Sequence, residues 1–170
     1  MQIGWFATTL VRELRALARE LEAYSDERDL WRTPPGIANS AGTLALHLCG
    51  NLQHYVGARL GGTGYLRDRT AEFAARDLPR SALLARIEAT IGVVERTLGS
   101  AAGFAWERPF PELVANRSLA TGDFLLHLVS HLAFHLGQVD YHRRLVTGDP
   151  RSVAPVAVVE LASARDPRGP

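Results

Sequence analysis

The chain has 170 residues, 46% of them apolar and 22% charged, a balance that fits a globular fold with a sizeable core. A formal net charge of +1 gives no electrostatic case for nucleic acid, whose binders carry basic patches or stripes, and no apolar run is long enough to predict a membrane span. The single Cys49 excludes an internal disulfide; with no signal-peptide pattern at the N-terminus, a cytoplasmic protein is expected.

Residues 3–24 read as a first helix, with Phe6, Leu10, Leu14, Leu17 and Leu21 recurring at steps of three and four. Arg12, Arg15 and Arg19 share a face with Glu13, Glu20 and Glu22 interleaved, which reads as a solvated helix surface. Pro34-Pro35-Gly36 cannot continue a helix, and Trp31 is expected to pin this connection to the bundle. A second helix is predicted over 41–60, capped by Asn39 or Ser40, with Leu44, Leu48, Leu52 and Val56 as its buried stripe. Gly50 and Gly57 weaken that helix and are expected to let another backbone come close. Cys49 stands about 200° round the helix from His47 and reads as a small apolar residue.

Residues 61–79 form a long crossover. Its Tyr65, Arg67 and Arg69 are candidates to bind an anionic substrate or thiol cofactor, since the arginine fork suits carboxylates; the plainer reading is a loop pinned by its own Arg–Asp pairs. A third helix over 80–98 buries Leu83, Leu84, Ile87, Ile91, Val94 and Leu98. Residues 99–120 make a second long connection, with Phe104, Trp106 and Phe110 expected over the core edge. The fourth helix is predicted from Ser118 or Thr121 to about Val146, before Gly148-Asp149-Pro150. Asp123 near its start and Arg143 and Arg144 near its end suit the helix dipole. Residues 1–150 are thus read as the bundle and 151–170 as a tail. The tail's apolar run Val153–Leu161 is expected to pack on the bundle or on a partner subunit.

The chemistry concentrates in the fourth helix, which holds four of the six histidines: His127, His131, His135 and His142. His131 and His135 lie one turn apart and about 40° round the axis, so their imidazoles can share one ion, and imidazole suits zinc, nickel, iron and copper alike. The second helix offers His47 and His54, which share a face but stand about 10 Å apart along the axis, so only one of them can join such a pair. Spacing alone leaves open which one, and whether the pair is His127 with His131 or His131 with His135. Set against a metal is the commoner fate of a helical histidine, a buried ring hydrogen-bonded to a carbonyl. Other chemistries lack their motifs. Leu132 stands where H-E-x-x-H needs its glutamate. There is no E-x-x-H at ferritin-like spacing on paired helices, no G-x-S-x-G elbow, and no Lys-Ser/Thr after Gly61–Gly64.

The segment HLVSHLAFHLGQVDYHRRL resembles the last core helix of the DinB-like superfamily of metal-binding four-helix bundles, and TLALHLCGNLQHYVGARLGGTGYLRDRTAEF resembles its second helix and following loop. The resemblance covers most of residues 5–148. It implies an all-α, DinB-like four-helix bundle with long crossover connections. It also implies a histidine triad falling on His47, His131 and His135, with Gly137 and Gln138 matching the tail of the H-x3-H motif. Known activities in the superfamily include thiol S-transferases that use bacillithiol- or mycothiol-type thiols and a mycothiol-dependent maleylpyruvate isomerase, while many members have no assigned reaction. The expectations are a divalent metal (zinc, nickel or iron, with zinc or nickel favoured), a small-molecule substrate, a low-molecular-weight thiol and a homodimer. The leading activity is a metal-dependent thiol S-transferase. A non-enzymatic metal- or small-molecule-binding bundle and a metal-dependent hydrolase are the alternatives. No catalytic residue is assigned; Gln138 is expected to orient a ligand or simply to pack.

Overall fold

A computed structural model describes residues 3–99 and 105–167. Helix α1 spans Ile3–Glu22, α2 Ala41–Leu52, α3 Arg69–Ala74, α4 Arg80–Gly99 and α5 Thr121–Thr147. Helices α1, α2, α4 and α5 form an all-α four-helix bundle; α1 lies against α4 and α5, and α2 against the same two. Short 3₁₀ turns cover Glu27–Trp31 and Val158–Glu160. No strand occurs among the described residues, only two isolated antiparallel bridges, Pro109 with Ala120 and Val114 with Arg117.

The stripes read from the sequence meet in one core. Leu10, Leu14, Leu17 and Leu21 of α1 are fully buried, as are Leu83, Ile87, Val94 and Leu98 of α4 or nearly so, and Leu128, Leu132 and Leu136 close it from α5. Each fully buried Leu or Ile contributes about 1.5–3 kcal/mol of transfer free energy. This apolar packing, rather than any single polar contact, holds the helix axes in place.

Three local expectations are corrected. First, the helix surface expected to be solvated is so only in part: Arg15 and Glu22 are exposed, while Arg12, Glu13 and Glu20 are not. Glu13 and Glu20 are buried; Arg12 donates to its chain neighbour Glu13, and Arg143 of α5 donates from Nε to Glu20. A helix enclosed on two sides buries even its charged residues, and the charges persist by pairing. Second, α2 does not run as an α-helix to residue 60: from Gln53 to Leu60 it widens into a π-helix, closed by the Gly61 N–H on the Val56 carbonyl. Third, Gly50 of α2 and Gly57 of the π-helix admit side chains rather than a backbone. A Cβ on Gly50 would stand 1.9 Å from Glu72 Oε1, and one on Gly57 would stand 2.9 Å from Val93 Cγ1. The expected start of α5 holds: it begins at Thr121, without a side-chain cap. Ala120 sits at the cap position, and the Thr121 hydroxyl donates to the Arg108 carbonyl instead.

Other expectations hold. Ser40 caps α2, accepting from the Thr43 N–H. Trp31 is buried and donates from Nε1 to the Leu78 carbonyl, and a Cβ on Gly42 would meet its ring at 2.8 Å. Phe110 is buried and Trp106 packs against Phe6 with ring centres 5.3 Å apart; Phe104 lies outside the described residues. Gly148, at φ +70°, ends α5 with its N–H on the Arg144 carbonyl. No helix among the described residues is long and apolar enough to cross a membrane. In the tail, the carbonyls of Val153 and Ala154 accept from Arg19 of α1.

Candidate metal centre

Helices α2 and α5 run side by side with His47 facing His131 and His135. One ligand atom from each of the three lies within 4.8 Å of the other two. The ring centres are 5.2 Å apart for His47 and His131, 5.4 Å for His47 and His135, and 4.6 Å for His131 and His135. The interplanar angles of these pairs are 71°, 89° and 83°. Three imidazoles so inclined converge on a point instead of stacking. His47 is buried and the other two are half-buried, so the cluster is reached from the α5 side.

The chemistry of this donor set fits a metal. The Nε2 atoms of His47 and His131 stand 3.3 Å apart. Metal–nitrogen bonds of about 2.0–2.1 Å at a tetrahedral angle put two nitrogens roughly that far apart. Burial, then the neighbouring His135 and His47, pushes the His131 imidazole down to about 4, so it is neutral at physiological pH with its lone pair free. Burial also lowers His47, and the Arg67 guanidinium adds to the effect.

The groups behind the triad leave Nε2 as the free nitrogen of His135 and allow the same on His47. Nδ1 of His135 lies 2.6 Å from Gln138 Oε1, an amide oxygen that only accepts, so Nδ1 carries the proton. Nδ1 of His47 lies 3.3 Å from Glu72 Oε2 and 3.1 Å from Arg67 Nη2. Arginine only donates, so this nitrogen can accept from Arg67 or donate to Glu72, but not both. An ion on Nε2 would fix the proton on Nδ1 and select the Glu72 contact, the carboxylate–histidine–metal arrangement that orients ligands in metal sites. Glu72 is itself held by two bonds of 2.8 Å from Arg67 Nε and Nη2.

A family profile for the DinB superfamily matches residues 9–139. The chain belongs to the DinB superfamily. The matched span contains His47, His131 and His135 and all four bundle helices wholly or in large part. No curated protein and no solved structure matches this DinB-superfamily chain.

The remaining candidates fall into separate places. His54 is apart from the triad: its Nε2 lies 3.1 Å from Glu112, which also pairs with Arg59. His127 stacks on Phe124, ring centres 5.7 Å apart. His142 is buried with both nitrogens engaged, Nδ1 at 2.7 Å from the Tyr24 hydroxyl and Nε2 at 2.8 Å from the Arg32 carbonyl. Cys49 is buried and free, its thiol pushed up to about 12 by burial. Of the crossover trio, Arg67 clamps Glu72, and exposed Arg69 lies 4.9 Å over the Phe73 ring. Tyr65 lines a cavity of about 160 Å³ with Cys49, Glu72 and Arg86. The loop is therefore pinned by an Arg–Glu pair, while Asp68 caps α3 by accepting from the Ala71 N–H.

Sequence reading did not give Glu72 its role behind His47. The usable signal was present: Asp68 followed by a short helix-forming run, with Gly50 one turn from His47 opening a slot for a long side chain.

Proposed function

We propose that His47, His131 and His135 hold one divalent metal ion, zinc or nickel, and that the protein is a metal-dependent S-transferase acting with a low-molecular-weight thiol and a small electrophile. The observation that carries the metal reading is the convergence of three imidazoles within 4.8 Å, backed by an acceptor behind His135 and a carboxylate behind His47. When bound, a divalent ion supplies Lewis acidity that lowers the pKa of a coordinated thiol. Three uncharged imidazoles would leave the charge of that ion intact.

What supports an external thiol is the state of Cys49. A buried thiol pushed up to about 12 supplies no thiolate at neutral pH, so the nucleophilic sulfur has to arrive with a small molecule. In the transfer, that sulfur bonds to the electrophilic carbon, the thiol proton passes to solvent, and the leaving group departs with its electron pair. Phe73 packs on His47 with ring centres 5.0 Å apart and shields it from water. Arg69, exposed over Phe73, is the cation of the crossover best placed for an anionic part of the thiol, since Arg67 is committed to Glu72.

The same reading includes a cytoplasmic homodimer. Val156, Val158 and Val159 of the tail are 56%, 70% and 80% exposed, apolar surface that a second copy would cover. Light scattering that finds only an 18.6 kDa species across micromolar concentrations rejects the dimer.

The deciding experiment for the reaction is a panel of bacillithiol, mycothiol, glutathione and coenzyme A with monochlorobimane, run on metal-loaded and chelator-treated protein. Turnover is expected only with both metal and thiol. Equal rates with and without metal reject the mechanism. A filled metal site with no turnover by any thiol leaves a metal-binding protein or a metal-dependent hydrolase.

A further inference from the structure

Beside the triad, on the far side of Gln138, a cavity of about 420 Å³ opens between residues 36–39 and the C-terminal half of α5. We infer that it is a binding site for a neutral, mostly apolar small molecule carrying one hydrogen-bond acceptor, and that Gln138 couples its occupancy to His135. The binding site stands apart from the metal reading; only the coupling rests on it.

Size is the first argument. The cavity falls within the roughly 300–1,000 Å³ of ordinary small-molecule sites. Its walls are Ile37, Leu44, Tyr141 and Leu145, with Asn39 and Gln138 as polar groups. Tyr141 and Leu145 are 77% and 60% exposed, so apolar surface at the rim remains to be covered.

Charge decides the ligand class. No Asp, Glu, Lys or Arg lines the cavity. His142 is its one imidazole, and burial disfavours its charged form. Its Nε2–H donates to the Arg32 carbonyl at 2.8 Å, and in the neutral ring Nδ1 accepts from the Tyr24 hydroxyl at 2.7 Å. A carboxylate or phosphate entering here would lose part of its hydration and meet no counter-charge. A neutral ligand escapes that cost.

The polar requirement comes from Gln138. Its Oε1 is taken by His135 Nδ1 at 2.6 Å, which fixes the amide so that Nε2 presents two N–H donors. Gln138 is exposed at the cavity rim and these donors have no protein acceptor among the described residues, so a ligand acceptor would take the place of water there. An ester, ketone or ether oxygen is the complement. A ligand acceptor on Nε2 polarises the amide and strengthens Oε1 as the acceptor behind His135, and groups behind a metal-ligating histidine tune the metal.

The test uses the full chain, in metal-loaded and chelator-treated forms, titrated by calorimetry and by amide shifts with three probes of similar size. Ethyl benzoate is neutral with an acceptor, propylbenzene is neutral without one, and benzoate is the anion. Saturable 1:1 binding of ethyl benzoate is expected in both forms. Benzoate should bind at least about tenfold more weakly, and propylbenzene several-fold more weakly, by about the worth of one neutral hydrogen bond. Ala38→Trp, at an exposed position on the cavity wall, should abolish binding without affecting folding. Gln138→Leu should erase the difference between ester and hydrocarbon. In cobalt-loaded protein the ester should shift the visible spectrum, and in Gln138→Leu it should not.

The site is overturned by no saturable ester binding, by benzoate binding as tightly as the ester, by Ala38→Trp binding like wild type, or by self-association that the ester displaces. An unmoved cobalt spectrum overturns the coupling alone. Failure of the metal reading is seen separately, as protein that binds the ester yet holds no metal by elemental analysis.

Discussion

Two polar clusters sit on α5, and they are finished to different degrees. At the C-terminal end, Arg143 is fully buried and spends its donors on Glu20, on the carbonyls of Asp149 and Arg151, and on Asp140, while His142 beside it has a partner at each ring nitrogen. In the middle of the same helix, His131 and His135 turn toward His47, with two Nε2 atoms facing each other at 3.3 Å. Residue type does not separate the clusters, since both contain histidine on one helix. Completeness does. A polar group whose bonds are all made inside the fold has only stability left to give. Groups that converge on one another's acceptor atoms call for something between them.

The largest effect should come from breaking the unfinished cluster. His47→Ala, His131→Ala and His135→Ala should each lose most bound metal by elemental analysis of untagged protein, while His142→Ala keeps it. Unchanged stoichiometry in all three triad variants would sink the assignment. Loss in His127→Ala in place of His135→Ala would shift the register instead.

Breaking the finished cluster should act on stability alone. Arg143→Ala leaves Glu20 buried without its counter-ion, and removing one partner of such a pair costs about 3–5 kcal/mol. Urea unfolding should show that loss, with metal content of the folded protein unchanged. A drop under about 1 kcal/mol would place the pair with surface salt bridges.

A smaller effect sharpens the contrast from the metal side. Glu72→Gln keeps the shape but weakens the acceptor behind His47, and metal affinity should fall about 10–100-fold. Competition with a chromophoric chelator reads this directly. Gly50→Ala should reproduce it, since its Cβ would occupy the space of Glu72 Oε1. Equal affinity in both variants would reduce Glu72 to a loop anchor.

The smallest effect is a pH dependence. Burial lowers His142 below its ordinary value of 6.5. The unfolded chain therefore takes up a proton there before the folded one does. The stability from neutral His142 is fully present above about pH 6.5 and is lost as pH falls from there through the lowered folded pKa. His142→Phe should remove that part of the acid-side slope in unfolding free energy against pH. An unchanged slope would assign it to other groups.

Much of the centre was legible because helical spacing is rigid. His131 and His135 at i, i+4 must lie on one face wherever the helix goes, and leucines at the matching steps name the face that is buried. Gln138, three residues after His135, stands within reach by the same geometry. What spacing could not supply was the partner helix's rotation, hence the choice of His47 over His54. Past Gln53 the helix widens to π geometry, so a seven-residue step no longer returns to the same face.

The sequence by itself determined the four bundle helices, their apolar stripes and the pair on α5, because these depend on contacts within a turn or two of the chain. Only the tertiary structure decided that Glu13, Glu20 and Arg143 are interior charges, that Glu72 stands behind His47, and that Gln138 divides its amide between His135 and a cavity. Each of those is a contact across elements whose relative positions follow from packing the whole core, and charge or amide character in a sequence does not reveal which partner that packing will supply.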